Sequence, residues 1–220
     1  ASRVTLDWRH LLVSTVLVGT VLVVLWPSLG TPFELIDDHY IVAATSAPEF
    51  GRKDVGQPRS LAVAVERDFL RFARVRPVYQ AVHWLQIRAF GSRPVAWHAF
   101  SVLMALASAL LLQAALVRLD IGPEIAALGA VTAILSPGAI VAWIRLGPGE
   151  ALGTLFLCAA LLAAVAAGRA GRARDPGRRR LDAALALFSV AMCGTKETYV
   201  LALPAVLALT YREDELGADH

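Results

Sequence analysis

Long apolar runs separated by short polar breaks dominate this chain. Leu11 to Leu29 carries no charge and is bracketed by Trp8 and Trp26, as aromatic residues bracket a span at its two interfaces. This predicts a first membrane span over about residues 10–29. A charged start and an apolar stretch also open a signal peptide. No small-x-small cleavage site follows, however, and the exit reads Trp26-Pro27-Ser28-Leu29-Gly30, which favours a retained span. Further runs predict spans over about 94–117, 123–143 and 149–168, the second of these interrupted by Ser136-Pro137-Gly138. Leu181 to Tyr211 is apolar at both ends, but Gly194-Thr195-Lys196-Glu197 divides it. Its 31 residues exceed one crossing, and a Lys-Glu in mid-membrane is expensive. Two short spans, about 181–193 and 198–211, meeting at an outer turn are therefore expected. The predicted fold is all-α: one membrane domain, residues 1–220, forming a polytopic transmembrane helix bundle with amphipathic surface helices on its outer face.

Residues 30–93 form the long outer segment that carries those surface helices. From Ser60 to Arg74, Leu61, Val65, Phe69 and Phe72 share one face and Arg67, Arg71 and Arg74 the opposite one, with Val63 and Leu70 breaking the pattern, which suits lying in the membrane surface better than crossing it. Arg76-Pro77 restarts the chain, and Val78 to Phe90 predicts a second short helix with Gln80, His83 and Gln86 along one stripe. It is too short and too wet to cross. Arg169 to Arg180 holds six arginines and one aspartate, the strongest cytoplasmic signal in the chain. Counting spans from a cytoplasmic N-terminus places that loop inside only if residues 78–90 do not cross. The charge rule and the polar stripe thus agree.

Composition sharpens the class. The chain is 57% hydrophobic with a mean hydropathy of +0.58, well above the ~45–50% apolar content of soluble domains. An integral membrane protein follows, expected in a bacterial plasma membrane with its N-terminus cytoplasmic. The net charge is +3, and no basic face for nucleic acid is visible. Cys158 and Cys193 sit in apolar runs and behave as small hydrophobes. Lys is rare, Lys53 and Lys196 against 19 Arg, so Lys196 between apolar segments stands out.

Four polar features share the predicted outer face: Asp37-Asp38, the arginines 67, 71, 74 and 76, the turn Arg145 to Glu150, and Lys196-Glu197. A carboxylate at the membrane edge can take the proton of an acceptor hydroxyl, and Arg and Lys can hold a phosphate as its charge develops. A solvated loop of mixed charge gives the same composition, since the acids of the outer segment balance seven of its nine cations. His39 beside Asp37 and Asp38 offers a divalent metal a weaker alternative, without a second His at metal-site spacing. His83 and His98 read as interfacial hydrogen-bonders, and Arg145 and Glu150 as a pair across their turn. Ala105-Leu106-Ala107-Ser108-Ala109 and Ala159-Ala160 suit close helix contact with a membrane partner, the basis of a non-catalytic reading. A transporter, the third reading, needs more polar or broken helices at mid-membrane.

A first span followed by Asp37-Asp38 resembles the GT-C membrane glycosyltransferases, the superfamily of protein O-mannosyltransferases and lipid-A aminoarabinose transferases. Arg76-Pro77-Val78-Tyr79, then Phe90-Gly91, Pro94 and Trp97-His98, is similar to a stretch of the O-mannosyltransferase-like members. Thr195-Lys196-Glu197 before Leu203-Pro204 resembles their Ser-Lys-Glu turn, with Thr in place of Ser. The resemblance implies a polyprenyl-phosphate sugar donor and an acceptor reached from the outer side; apart from the divalent-metal alternative at His39, no cofactor is expected. By that analogy Asp37 or Asp38 is the base, and Arg71, Arg74, Arg76 and Lys196 bind donor phosphate, with His39 and Glu197 in support. Full members carry further spans, so the chain corresponds to their N-terminal half.

Overall fold

The computed structural model describes residues 8–33, 41, 61–147, 149–172 and 176–215. Among them every regular element is helical: α1 (Trp8–Leu25), α2 (Leu61–Phe72), α3 (Pro77–Phe90), α4 (Pro94–Arg118), α5 (Pro123–Leu135), α6 (Pro137–Ile144), α7 (Gly149–Arg172), α8 (Arg178–Cys193) and α9 (Leu203–Glu215). Short 3-10 turns follow α1 at Trp26–Gly30 and precede α9 at Glu197–Ala202. The chain is an all-α helical bundle.

Proline sets the helix starts. α3, α4, α5 and α6 each carry one in their first turn, at Pro77, Pro94, Pro123 and Pro137, where its missing N–H costs no intrahelical bond. The break at Ser136 bends α5 and α6 by 64°. Pro137 cannot donate to the Ala133 carbonyl, and Ser136 Oγ takes its place at 3.4 Å. Trp143 Nε1 donates to the Ile134 carbonyl at 2.8 Å, so the Ala133 and Ile134 carbonyls at the bend each have a partner.

α4 and α7 form the centre of the bundle. α1 and α5 pack on α4, while α8 and α9 pack on α7. Small residues let α7 approach its neighbours: Ala160, Ala163 and Ala164 are buried with Leu185 of α8 and Val206 of α9. α1 and α4 are also joined by a hydrogen bond from Ser14 Oγ to Gln113 Oε1 at 3.1 Å, with Gln113 buried. An interhelical bond of this kind serves in an apolar setting where water cannot.

Among the described residues three segments are long and apolar enough to cross a membrane: Trp8–Gly30, Pro94–Arg118 and Gly149–Gly171. The bent pair α5–α6 makes a fourth if taken as one. The 16 residues of α8 span ~24 Å, short of a ~30 Å hydrocarbon core. α8 and α9 are separate helices meeting at the Gly194–Lys196 turn, as expected. The arginine loop is shorter than the sequence implied. α7 continues through Arg169 to Arg172, where Arg169 donates to Asp120 at 2.7 Å, and α8 begins at Arg178. Arginine is a good helix former, and its long stem lets the charge leave the bundle without ending the helix.

The bundle has two chemically different ends. At one lie the start of α1, Arg118, the Asp120–Arg169 pair and the start of α8. At the other, Phe33, Ile41, Ile87, Phe90, Trp97 and Leu146 form an apolar cluster beneath α3.

Candidate functional site

The second end gathers the polar residues, and α3 is what gathers them. Its first free amides, on Val78 and Tyr79, both donate to the Gly194 carbonyl, at 3.0 and 3.2 Å. One carbonyl of the α8–α9 turn thus caps the helix opened by Arg76-Pro77. Gly149, at the start of α7, lies under the same turn, and a Cβ there would stand 2.8 Å from the Thr195 carbonyl oxygen. The starts of α3 and α7 and the Thr195-Lys196-Glu197 turn are therefore locked together.

α2 supplies two further groups. It ends at Phe72 because Ala73 adopts a φ of +52°, which turns the chain out of the helix. Arg74 consequently leaves the predicted row with Arg67 and Arg71 and approaches Glu197, Nε to Oε1 at 3.6 Å. Among the described side chains of α2, Ala64 and Asp68 are buried, while Leu61, Val63, Phe69 and Leu70 are exposed. Asp68 receives a two-pronged contact from Arg76, at 2.6 Å from Nη2 and 3.0 Å from Nε. The Arg76 guanidinium also lies 4.9 Å over the Tyr79 ring. Burial works against the Arg76 charge, but the hydrogen bond and charge of Asp68 outweigh it and hold its pKa above the ordinary guanidinium value.

Lys196 Nζ donates to Glu150 Oε1, a partner in the first turn of α7. Tyr199 Oη donates to the Glu150 carbonyl at 2.8 Å and sits 2.9 Å from Thr154 Oγ1. The three ion pairs differ in exposure. Arg76–Asp68 is 14% and 3% exposed, Lys196–Glu150 25% and 44%, and Arg74–Glu197 48% and 53%. Open pairs contribute ~0–1 kcal/mol, whereas breaking a buried pair costs ~3–5 kcal/mol. Arg76 is therefore committed to Asp68, whereas Lys196 and Arg74 are open to an incoming anion, as is the exposed Arg145, whose charge also acts on Glu150.

Of the stripe Gln80–His83–Gln86, His83 and Gln86 face the bundle. His83 stacks on Tyr79 with ring centroids 5.4 Å apart and lies 5.5 Å from Trp97. Its Nδ1 is buried without a hydrogen-bond partner, so the expected interfacial hydrogen bond is not made at that atom. Burial, with the nearby Arg76 charge, lowers the His83 pKa to about 4. His98 is likewise buried in α4. The adjoining cleft, lined by Tyr79, Gln86, Trp97 and Ser101 among others, has a volume of about 20 Å³. That is room for about one water and not for a sugar.

Of the sequence-predicted site residues, Arg74, Arg76, Lys196 and Glu197 come together. Arg71 lies on α2. Asp37, Asp38 and His39 lie outside the described residues, and Phe33 and Ile41 on either side of them both pack at this end. Among the described residues no group of three His, Cys, Asp or Glu side chains is placed to hold a metal. No protein family, curated protein or solved structure matches the chain. Glu150 and Asp68 were absent from the expected phosphate-binding set. Their partners lie in other segments, and spacing along the chain carries no signal for them.

Proposed function

We propose that this chain carries the catalytic residues of a GT-C-type membrane glycosyltransferase. It moves a sugar from a polyprenyl-phosphate donor to an acceptor hydroxyl on the outer side of the membrane. One observation carries the reading: the Gly194 carbonyl caps α3, so cations remote in sequence, Arg74 and Lys196, stand at one end of the bundle with their tips open to solvent. Phe33 and Ile41, flanking the acidic pair, pack at that same end.

In the proposed step Asp37 or Asp38 takes the acceptor proton as the hydroxyl oxygen attacks the anomeric carbon. The bond from that carbon to the phosphate oxygen breaks, and its electron pair stays on the departing polyprenyl phosphate. Lys196 and Arg74, with Arg71 in reserve, bind the phosphate and stabilise that charge. Arg76 holds α2 against α3 through Asp68 and serves as a positioning residue. Surrounding lipids receive the exposed apolar face of α2 and the outer faces of the spans.

The rival reading, a non-catalytic subunit, rested on small residues available to a membrane partner. Ala105, Ala109, Ala159 and Ala160 are buried within this chain, so those small residues serve its own helix contacts. Sugar transfer from a polyprenyl-phosphate donor, assayed in membranes, tests the catalytic reading. Asp37→Asn or Asp38→Asn is expected to abolish transfer with insertion intact, and wild-type rates in both would end the assignment.

A further inference from the structure

We propose that Glu150 is an internal competitor for Lys196, its carboxylate occupying the place that a lipid-linked phosphate takes on binding. This rests on the phosphate-transfer reading above and adds to it the residue that controls access to the cation.

The contact joins the first turn of α7 to a residue 46 positions later. Its two roots are fixed. Gly149 has no space for a side chain beneath the Thr195 carbonyl, and Tyr199 Oη donates to the Glu150 carbonyl oxygen at 2.8 Å. The tips are different, with Lys196 a quarter and Glu150 nearly half exposed. Fixed backbones and wetted side chains are what a displaceable pair requires, because the carboxylate can rotate into water while Lys196 stays in place. The Arg76–Asp68 pair is the internal contrast: two hydrogen bonds, almost no exposure, and no room to exchange.

Electrostatics gives the competitor a use. Before transfer the phosphate is a diester with one negative charge. Afterwards it is a monoester carrying about −1.5 to −2 at neutral pH. A bare lysine would therefore hold the departing polyprenyl phosphate harder than the donor. A carboxylate that returns to Lys196 opposes that retention and clears the site for the next donor.

The test titrates dodecyl phosphate, a single-chain phosphomonoester, against the whole chain in nanodiscs of zwitterionic lipid. Glu150→Gln and Glu150→Ala are expected to bind about twofold to fivefold tighter than wild type, the range set by removing a part-exposed pair. Glu150→Asp, which keeps the charge, stays near wild type, and Lys196→Met loses binding with or without Glu150→Gln. If both neutral Glu150 variants bind no tighter while Lys196→Met still loses binding, the competitor role is wrong and the phosphate reading stands. If binding ignores Lys196→Met, or neither wild type nor the Glu150 variants bind, both are wrong.

Discussion

Water decides what each ion pair at the polar end of the bundle does. Asp68 and Arg76 are shielded, so Asp68→Ala leaves a buried guanidinium uncompensated and should lower unfolding stability by ~3–5 kcal/mol in detergent. Glu197→Ala removes an open pair and should change it by less than ~1 kcal/mol. Equal losses in the two variants would contradict the division between structural and available cations. His83 adds a pH dependence. Its folded pKa, about 4, lies below the ordinary 6.5, so the unfolded chain binds the extra proton between those values. Stability is therefore full above pH 6.5 and falls as the pH drops toward 4, by up to ~3 kcal/mol. His83→Gln should flatten that part of the profile, and an unchanged slope would show that His83 does not titrate as described. At this scale the sequence identified the cations but not their partners. Arg74 reaches Glu197 only because Ala73 turns at positive φ, and Lys196 meets Glu150 only because α7 and the α8–α9 turn are in contact.

Helix boundaries were far more legible than side-chain partners. Four prolines fix four starts, and Gly91, at φ +54°, ends α3 where Phe90-Gly91 led one to expect. The Gly91 carbonyl then accepts from Trp97 Nε1 at 2.9 Å, which gives the aromatic residue entering α4 a structural task. What misled was polarity. Gln80, His83 and Gln86 look like a wet face, yet α3, its start anchored on Gly194, turns His83 and Gln86 toward the bundle. The end of α7 misled for the opposite reason, since Arg169 and Arg172 carry charge without breaking a helix. Two variants test the contacts between elements. Trp143→Phe leaves the Ile134 carbonyl without its partner at the α5–α6 bend and should cost ~1–3 kcal/mol in unfolding measurements. A Cβ at Gly153 would lie 2.1 Å from the Tyr199 ring, so Gly153→Ala should displace Tyr199 from Glu150 and Thr154, at ~1–3 kcal/mol. Wild-type stability in either variant would mean that the elements are not joined there.

For the molecule as a whole, the sequence argument from charge and the structure agree on which segments share an end. Ser14 meets Gln113 near the end of α4, and Asp120 meets Arg169, so the start of α1 and the arginine-rich segment lie together. Phe33, Leu146 and the start of α4 lie at the opposite end, with Lys196 held to the start of α7 nearby. The functional account needs the acidic pair on that second side, facing the compartment from which the acceptor arrives. Thiol labelling in sealed vesicles measures this directly, in a chain first freed of Cys158 and Cys193 by substitution with alanine. Asp38→Cys and Lys196→Cys should both react with an impermeant reagent from the non-cytoplasmic side, and Arg179→Cys only after the membrane is opened. Reaction at 38 and 196 from opposite compartments would contradict the account, because no single active centre could then contain both.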